Sequence, residues 1–131
     1  MNDATALEEL TGLLRAALDP YFNDSDPRTY EKLFAAEATY FDPNSSGKLE
    51  GDGIHRLFTA YAGQIPPDRY EILDPKVTLH ADTAVFTFNL DCFDRDDGSL
   101  TRRWNATQVH EHSSAGWPMV HAHWSLREPV A

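Results

Sequence analysis

The sequence predicts an α+β fold in which helices come first along the chain and an antiparallel sheet follows. Before Pro67, apolar residues recur at helical spacing, whereas after it they alternate with polar residues as in half-buried strands. No internal repeat and no low-complexity linker interrupts the 131 residues. A chain of this length suits a single domain over residues 1–131, with one hydrophobic core.

The first half of the chain is expected to form three helices. A capping box at Thr5 and Glu8 begins the first helix, and Asp19-Pro20 is expected to end it. Asp26-Pro27, an N-cap followed by proline, begins the second helix, and Asp52 begins the third. The apolar stripe of the second helix comprises Tyr30, Leu33 and Phe34, and that of the third comprises Ile54, Leu57, Phe58 and Tyr61.

The second half is expected to form four long strands, which follow a short one between the second and third helices. The short strand is the β-prone run Ala38 to Phe41. Arg69 to His80 and Thr83 to Phe93 flank a tight turn. Asp97-Gly98 is a hairpin signal, and Leu100 to Leu126 then contains two strands joined by a turn. These elements predict helices packed on one face of a curved sheet.

Composition limits the partners and the compartment. Acidic residues outnumber basic ones 21 to 11, so the formal charge of −10 repels nucleic acids and anionic membranes. Cys92 is the single cysteine, which rules out an internal disulfide. The first ten residues do not resemble a signal peptide, and no apolar run approaches the ~20 residues that span a bilayer. We therefore expect a cytoplasmic protein that binds neither nucleic acid nor membrane.

Two histidines on the last strand are the first candidates for a functional site. Strand alternation puts His121 and His123 on one face, with Met119 and Ser125. The imidazoles could line a pocket, hold an anionic or carbonyl-bearing ligand and act as acid or base. Alternatively, both could be hydrogen-bonded histidines that only organise the sheet.

A metal site is considered and not expected. His110 and His112, like His121 and His123, have a spacing that metal sites use, and Asp42 or Glu111 could add an oxygen ligand. However, His110 and His112 approach the hairpin turn, where side chains are usually solvated. We predict neither a metal nor another cofactor.

Four segments resemble the nuclear transport factor 2-like superfamily, and within it the SnoaL-like branch. They are Tyr40 to Pro43, Leu49 to Gly51, Arg103 to Val109 and, most specifically, Gly116 to Ser125. The chain is also similar to the association domain of calcium/calmodulin-dependent protein kinase II. The resemblance implies a cone-shaped α+β barrel that encloses a pocket, and dimerisation through the outer sheet face. It does not fix function, because the superfamily includes isomerases, cyclases, dehydratases, hydrolases, transport factors and assembly modules.

The same resemblance suggests which arginine enters the pocket. Arg102 and Arg103 point to opposite faces, and Arg103 is selected because the related strand carries arginine a few residues before Thr107. A cavity arginine would offer a fork of donors to a carboxylate. A one-residue slip at a bulge would select Arg102 and Trp104 instead. A surface arginine paired with an aspartate of the preceding turn is the other alternative.

Asp42 closes the short strand near the expected pocket opening. Its carboxylate could orient a cavity histidine, or it could be a turn aspartate before Pro43. Aromatic residues could line an apolar cavity or simply fill the core. The aromatic residues chosen as ligand-binding candidates are Tyr40, Phe58, Phe88 and Trp104.

Two functions follow from these candidates. The first is a protein that binds, and can transform by proton transfer, a small apolar acid or ketone, as isomerases, cyclases and dehydratases do. His123 or Asp42 would move the proton, and Arg103 would stabilise developing oxyanion charge, with His121 beside them. The second is a non-catalytic association module with a vestigial pocket. We expect a homodimer formed through the outer sheet face, whereas a ring well above a dimer would favour the association module.

Overall fold

Three helices cover one face of a curved six-stranded sheet in the computed structural model, which describes residues 1–127. The α+β prediction is confirmed, and the architecture is that of the cone-shaped fold. The helices are α1 (Asp3–Asn23), α2 (Arg28–Glu31) and α3 (Asp52–Tyr61). The strands are β1 (Phe34–Phe41), β2 (Leu49–Glu50), β3 (Arg69–His80), β4 (Thr83–Phe93), β5 (Leu100–Glu111) and β6 (Met119–Leu126).

Helix α1 is longer at both ends than predicted. Its N-cap is Asn2, whose side chain accepts a hydrogen bond of 2.8 Å from the Thr5 amide. At the other end the helix continues through Pro20 to Asn23. Proline removes one backbone donor, but the Asp24 amide still bonds to the Pro20 carbonyl at 2.9 Å, so the last turn is kept.

Helix α2 is a single turn, and the residues expected to extend it begin a strand instead. The predicted stripe Tyr30, Leu33 and Phe34 is divided, because Phe34 is the first residue of β1. Tyr30 alone remains buried in the helix. Strand β1 therefore starts four residues before the predicted Ala38.

Helix α3 begins at Asp52, as predicted, and packs Ile54 and Phe58 into the core. The residue before it, Gly51, has φ +49°, a conformation that glycine adopts without steric cost. The two-residue strand β2, which the sequence did not reveal, leads into this turn and pairs with the end of β1.

The sheet has the order β2-β1-β6-β5-β4-β3. Strands β3 to β6 form an antiparallel meander, and their predicted positions agree with the structure, those of β3 and β4 to the residue. The chain then closes the sheet by a parallel pairing of β1 with β6. This pairing brings the first strand, with Asp42 just beyond it, beside the last strand.

The register shifts once in each of four strand pairings, and two of these shifts lie in β3 and β6. In β3 the register with β4 shifts between Leu73 and Lys76, where Asp74 has φ +50°. In β6 the register with β5 shifts so that Val109 pairs with His121 but His110 pairs with Met119. Such bulges increase local twist and curvature, which helps the sheet to wrap around the helices.

The core lies between the inner sheet face and the helices. Its largest fully buried side chains include Phe58, Phe86, Leu10, Leu14 and Leu90. Among residues 1–127, no helix is long and apolar enough to cross a membrane.

Candidate functional site

A cavity of about 310 Å³ opens between the end of α1, helix α3 and the inner sheet face. Eight aromatic side chains form much of its wall: Tyr21, Phe22, Tyr30, Tyr40, Phe58, Tyr61, Trp104 and Trp124. Tyr40 stacks on Phe58 with ring centroids 5.7 Å apart, and Tyr30 lies 5.8 Å from the same ring. The volume is at the small end of the range for ligand pockets.

Asp42 is the carboxylate of the inner wall and is 9% exposed. Its Oδ1 accepts a hydrogen bond of 2.7 Å from the Tyr40 hydroxyl. Its Oδ2 accepts bonds from the Tyr61 hydroxyl at 2.6 Å and from the Asn44 amide at 2.9 Å. These three donors come from β1, α3 and the loop after β1, so the carboxylate is held from three directions.

The two phenols around Asp42 stay protonated at neutral pH. Burial, reinforced by the hydrogen bond to Asp42, raises the pKa of Tyr61 to about 12. Burial raises the pKa of Tyr40 well above its ordinary value, and neighbouring tyrosines and Asp42 add to the effect. Both side chains therefore act as fixed donors that stabilise negative charge on Asp42.

A chain of buried hydrogen bonds runs from the cavity wall into the core. Trp124 Nε1 donates to the Tyr30 hydroxyl at 2.7 Å, and this hydroxyl donates to Gln108 Oε1 at 2.7 Å. Gln108 Nε2 lies 3.0 Å from His110 Nε2, and His110 Nδ1 lies 3.0 Å from the Trp117 carbonyl oxygen. These hydrogen bonds fix the orientation of the Tyr30 and Trp124 rings, both of which line the cavity.

The cavity mouth carries the remaining charged groups. Arg102 lines it and is exposed, and it forms no ion pair among residues 1–127. Asp68, which also lines the cavity, is 9% exposed and accepts a 2.7 Å bond from the Thr101 hydroxyl. Arg95 donates to the Pro67 carbonyl at 2.5 Å, which ties the turn after β4 to the loop before β3. The mouth therefore has one cation without an ion pair among residues 1–127, Arg102, and a loop before β3 that is held by the Arg95 hydrogen bond.

The family model described as a SnoaL-like domain matches residues 14–129 of this chain. The chain belongs to the SnoaL-like family. It lies within the nuclear transport factor 2-like superfamily, as the resemblance implied. Among curated proteins, no match to the chain was found.

Solved structures of the same fold agree with this SnoaL-like assignment. A candidate ketosteroid isomerase from Parabacteroides distasonis is 32% identical, with a TM-score of 0.73, over 93% of this chain and 88% of that one. The CaMKII hub of S. rosetta is 27% identical, with a TM-score of 0.70, over 95% and 96% of the two chains. An NTF2-like protein of unknown function from Pseudomonas putida KT2440 is 20% identical, with a TM-score of 0.78, over 95% and 89%.

The two strand histidines of this SnoaL-like chain do not line the cavity. His121 and His123 lie on the outer sheet face, because Ala122 and Trp124 of the same strand turn inward and are buried. His121 Nδ1 lies 2.8 Å from Thr39 Oγ1. The two histidines share one face, as predicted, but that face is the outer one and not the cavity wall. Antiparallel sheets with one solvated face put apolar residues inward, and this signal would have decided the matter.

The bulge in β6 explains another difference. Met119 was expected to share a face with the histidines, yet it is fully buried and pairs with His110 in the interior. One extra residue, Val120, stands between the two registers and reverses the alternation. Bulges of this kind leave no clear pattern in a single sequence.

The arginine prediction is corrected in the same way. Arg102 pairs across the sheet with the cavity residue Cys92 and lines the mouth. Arg103 lies on the outer face, where its Nε is 3.5 Å from Asp91 Oδ1. Trp104 lines the cavity together with Arg102, which is the alternative that a shifted register offered.

The other predicted residues are divided between cavity and core. Tyr40, Asp42 and Phe58 line the cavity. Phe88 is buried outside it and packs against Trp124 with centroids 5.4 Å apart. Sequence reasoning missed Tyr61 as a partner of Asp42, since its position on the apolar stripe of α3 suggested only packing.

A metal centre is not formed by the described part of this SnoaL-like domain. Within residues 1–127, no group of three histidine, cysteine, aspartate or glutamate side chains is placed to hold an ion. His110, considered above as a ligand, is buried with both ring nitrogens engaged by Gln108 and Trp117.

Proposed function

We propose that the cavity binds a small apolar ketone or carboxylic acid. In this proposal Asp42 takes a proton from the ligand carbon next to the ligand's carbonyl group. The observation that carries this proposal is a carboxylate fixed by hydrogen bonds in the wall of a largely apolar cavity. A positioned carboxylate next to an apolar substrate is the usual arrangement for general-base catalysis of such a transfer.

The hydrogen bonds around Asp42 leave room for this step. Within residues 1–127, Oδ1 accepts one bond, from Tyr40, whereas Oδ2 accepts two. A carboxylate oxygen can accept two hydrogen bonds, so Oδ1 keeps one acceptor position. Oδ1 is therefore the atom that we assign to proton transfer.

Arg102 supports the choice of ligand. It is the cation among the cavity-lining residues, and its planar guanidinium can hold a carboxylate or the oxygen of a carbonyl at the mouth. The apolar body of the ligand would then lie against Phe58 and Trp104. In a proton transfer, the same group would stabilise the enolate oxygen while Asp42 holds the proton.

The test combines binding with isotope exchange. Purified protein is screened by thermal shift against cyclic and aromatic ketones and short carboxylic acids, because a ligand of the native state raises its stability. The ligands that shift the midpoint are then incubated in D₂O, and loss of the α-proton signal is followed by NMR. Catalysed exchange is expected for the native protein.

Variants of two carboxylates make the test specific. Asp42→Asn is expected to abolish exchange, with a loss of 10²-fold or more, while a thermal shift remains. Asp68→Asn removes the other carboxylate that lines the cavity and should leave exchange within about threefold of the native rate. Equal exchange in the native protein and in Asp42→Asn would show that Asp42 is not the base.

We also propose that the chain forms a homodimer through the outer sheet face, in line with the similarity to a CaMKII hub at 27% identity. The outer positions of β4 to β6 include many half-buried residues of low charge, among them Val85, Thr107 and Val109. Sedimentation velocity measures the assembly directly. A dimer supports the proposal, whereas a larger ring would favour the association module as the main function.

A further inference from the structure

The loop between α3 and β3, residues 62–68, forms one side of the cavity mouth, and we refer to it as the mouth loop. Four of its residues line the cavity: Gln64, Ile65, Pro66 and Asp68. The loop adds little to the core, because Ile65 is half-buried and the residues on either side of it are exposed. Segments with few buried apolar contacts open locally at a lower free energy than the whole fold.

Two consecutive prolines determine how the mouth loop can be held. Pro66 and Pro67 have no backbone N–H group, so this part of the loop offers acceptors and no donors. Its backbone must therefore be held by a donor from another element. Arg95 supplies that donor, because its Nε donates to the Pro67 carbonyl oxygen at 2.5 Å and its Nη2 lies 3.5 Å from the Asp68 carbonyl oxygen.

The same guanidinium also reaches the last residue of α1. Its Nη2 donates to the side-chain oxygen of Asn23, which directly follows the cavity residues Tyr21 and Phe22. Arg95 itself lies in the turn after β4, the strand that carries the cavity residue Cys92. One side chain therefore joins three of the segments that surround the mouth.

The turn that presents Arg95 is fixed by its own hydrogen bonds. Asp94 Oδ1 accepts the amides of Asp96 and Asp97 at 2.8 and 3.1 Å, and the Gly98 amide donates to the Asp94 carbonyl oxygen at 3.0 Å. Within residues 1–127 the guanidinium forms no ion pair with these neighbouring aspartates. It bonds instead to neutral oxygens of the mouth loop and of α1, which its planar fork can hold together.

The beginning of the mouth loop is held by Ser25. The Ser25 carbonyl oxygen accepts the Gly63 amide at 2.9 Å, and its Oγ accepts the Ile65 amide at 2.7 Å. Gly63 has φ +76°, a conformation that glycine adopts without steric cost. Such positions absorb backbone changes easily, so Gly63 is the point at which the loop can bend.

We infer that the mouth loop is the lid of the cavity and that Arg95 holds it closed, so that a ligand enters when Arg95 releases the loop and Asn23. This inference rests on the proposed function for the identity of the ligand, and it adds the path by which the ligand arrives. The Asp68 side chain stays bonded to Thr101 during opening, so the loop moves between Gly63 and Asp68.

The free energy of opening is small compared with that of unfolding. Opening breaks hydrogen bonds at the exposed side chains of Arg95 and Asn23, and water replaces the lost partners. The one apolar side chain of the loop that leaves a half-buried position is Ile65. A ligand can therefore pass while the core stays folded.

Cys92 reports passage through the mouth without any ligand. It is the single cysteine of the chain, lies in the cavity wall and is 1% exposed. Methyl methanethiolsulfonate, a small neutral thiol reagent, must enter the cavity to reach it. Burial raises the pKa of this thiol, and the charged side chains that act on it are Asp68, Arg102 and Asp91. Loss of the Arg95 charge therefore leaves the reactivity of the thiol itself unchanged.

The experiment measures the rate at which this reagent labels Cys92 at pH 8, by mass spectrometry of the intact protein. Arg95→Gln is expected to be labelled about tenfold or more faster than the native protein, because the mouth loop loses its donor. Asn23→Asp is expected to be labelled about threefold more slowly, since a carboxylate accepts a stronger bond from a guanidinium than an amide does. In the Arg95→Gln background, Asn23→Asp should not change the rate.

Two control variants separate release of the lid from other effects. Arg56→Gln removes an exposed cation of α3 and should be labelled at the native rate. Ala6→Gly weakens α1 at the end remote from its cavity residues, so it lowers the free energy of unfolding without touching the lid. Labelling of Ala6→Gly at the native rate would show that the reagent does not enter through global unfolding. Urea unfolding of every variant verifies that each one is folded.

Three results would overturn the inference. They are a native labelling rate in Arg95→Gln, an equal acceleration in Ala6→Gly, and an undiminished rate in Asn23→Asp. The last variant keeps the guanidinium, so it decides the question even where Arg95→Gln does not fold.

The proposed function fails in a different way. Its test depends on ligand binding and on exchange at Asp42, neither of which is needed for labelling of Cys92. Fast labelling of Arg95→Gln in a protein that no ligand stabilises would retain the lid and remove the ligand proposal.

Discussion

At the scale of single residues, His110 illustrates how a buried network fixes one protonation state. The Trp117 carbonyl can only accept, so His110 Nδ1 must donate to it. His110 Nε2 then accepts from the Gln108 amide, whose oxygen accepts from Tyr30. A second proton would lie on Nε2 and would point at the Gln108 amide, so that two donors would face each other. Burial also lowers the pKa of His110. The folded chain therefore holds this histidine neutral.

This neutral state predicts a loss of stability in acid. Because the folded pKa of His110 lies below the unfolded value of about 6.5, the unfolded chain binds more protons as pH falls, and the free energy of unfolding declines. Urea unfolding at pH 7.5 and 5.5 should show this decline, and His110→Gln should show less of it. His80→Gln, at an exposed position of β3, should keep the native pH dependence. An equal decline in all three proteins would exclude His110 as the cause.

The positions of single functional residues were predicted less well than the elements that carry them. Alternation correctly put His121 with His123 and apart from Trp124, but the inner face was chosen wrongly, because the apolar residues of the opposite face mark the inside of such a sheet. Asp42 was predicted at the cavity because it closes the short strand near the expected opening, and Tyr40 and Phe58 were predicted there as aromatic residues; all three line it. Tyr61 was missed, since a hydrogen bond between α3 and the end of β1 depends on tertiary packing that spacing cannot show.

At the scale of elements, the ends of strands were predicted correctly where turn-forming residues follow the strand. Strands β3 and β4 end at turns rich in small and acidic residues, and their alternation is unbroken apart from one bulge. Helix α2 was misjudged because Leu33 and Phe34 fit a helical stripe as well as a strand. The paired residues of β1 and β6 are 82 to 85 positions apart in the sequence, so this pairing depends on partners that local propensity does not include.

The turn before α3 provides a test of backbone strain at this scale. Gly51 has φ +49°, although the space around its missing Cβ is open. Gly51→Ala therefore meets no clash and should still lower the free energy of unfolding by roughly 1–2 kcal/mol, through strain alone.

Gly12 is the matched control for this substitution. It lies inside α1 with no atom near its Cβ position, so Gly12→Ala should stabilise the chain by about 0.5–1 kcal/mol. Urea unfolding measures both variants. Equal effects of the two substitutions would show that the Gly51 conformation is not strained for alanine.

At the scale of the whole molecule, the cavity is a stability cost that the fold maintains. Interiors of proteins are normally close-packed, whereas a cavity of about 310 Å³ opens into this core, so the side chains of its wall lack packing partners on one side. Cys92 lies in the wall beside Trp104 and Arg102, is buried, and has its thiol pKa raised to about 12 by burial. The thiol is therefore uncharged and contributes to the wall mainly by its size.

Changing that size should move stability and binding in opposite directions. Cys92→Leu fills part of the void and should raise the free energy of unfolding by about 0.5–2 kcal/mol, while it weakens any ligand found by thermal shift. Cys92→Ala enlarges the void and should lower the free energy of unfolding by about 1 kcal/mol, with ligand binding kept. Urea unfolding and ligand titration of both variants give the four values. If Cys92→Leu were destabilising and still bound ligand, its side chain would be forced into packed core, and the open space would lie elsewhere than this wall. If stability rises as binding falls, the molecule keeps its core incomplete so that a ligand can complete it.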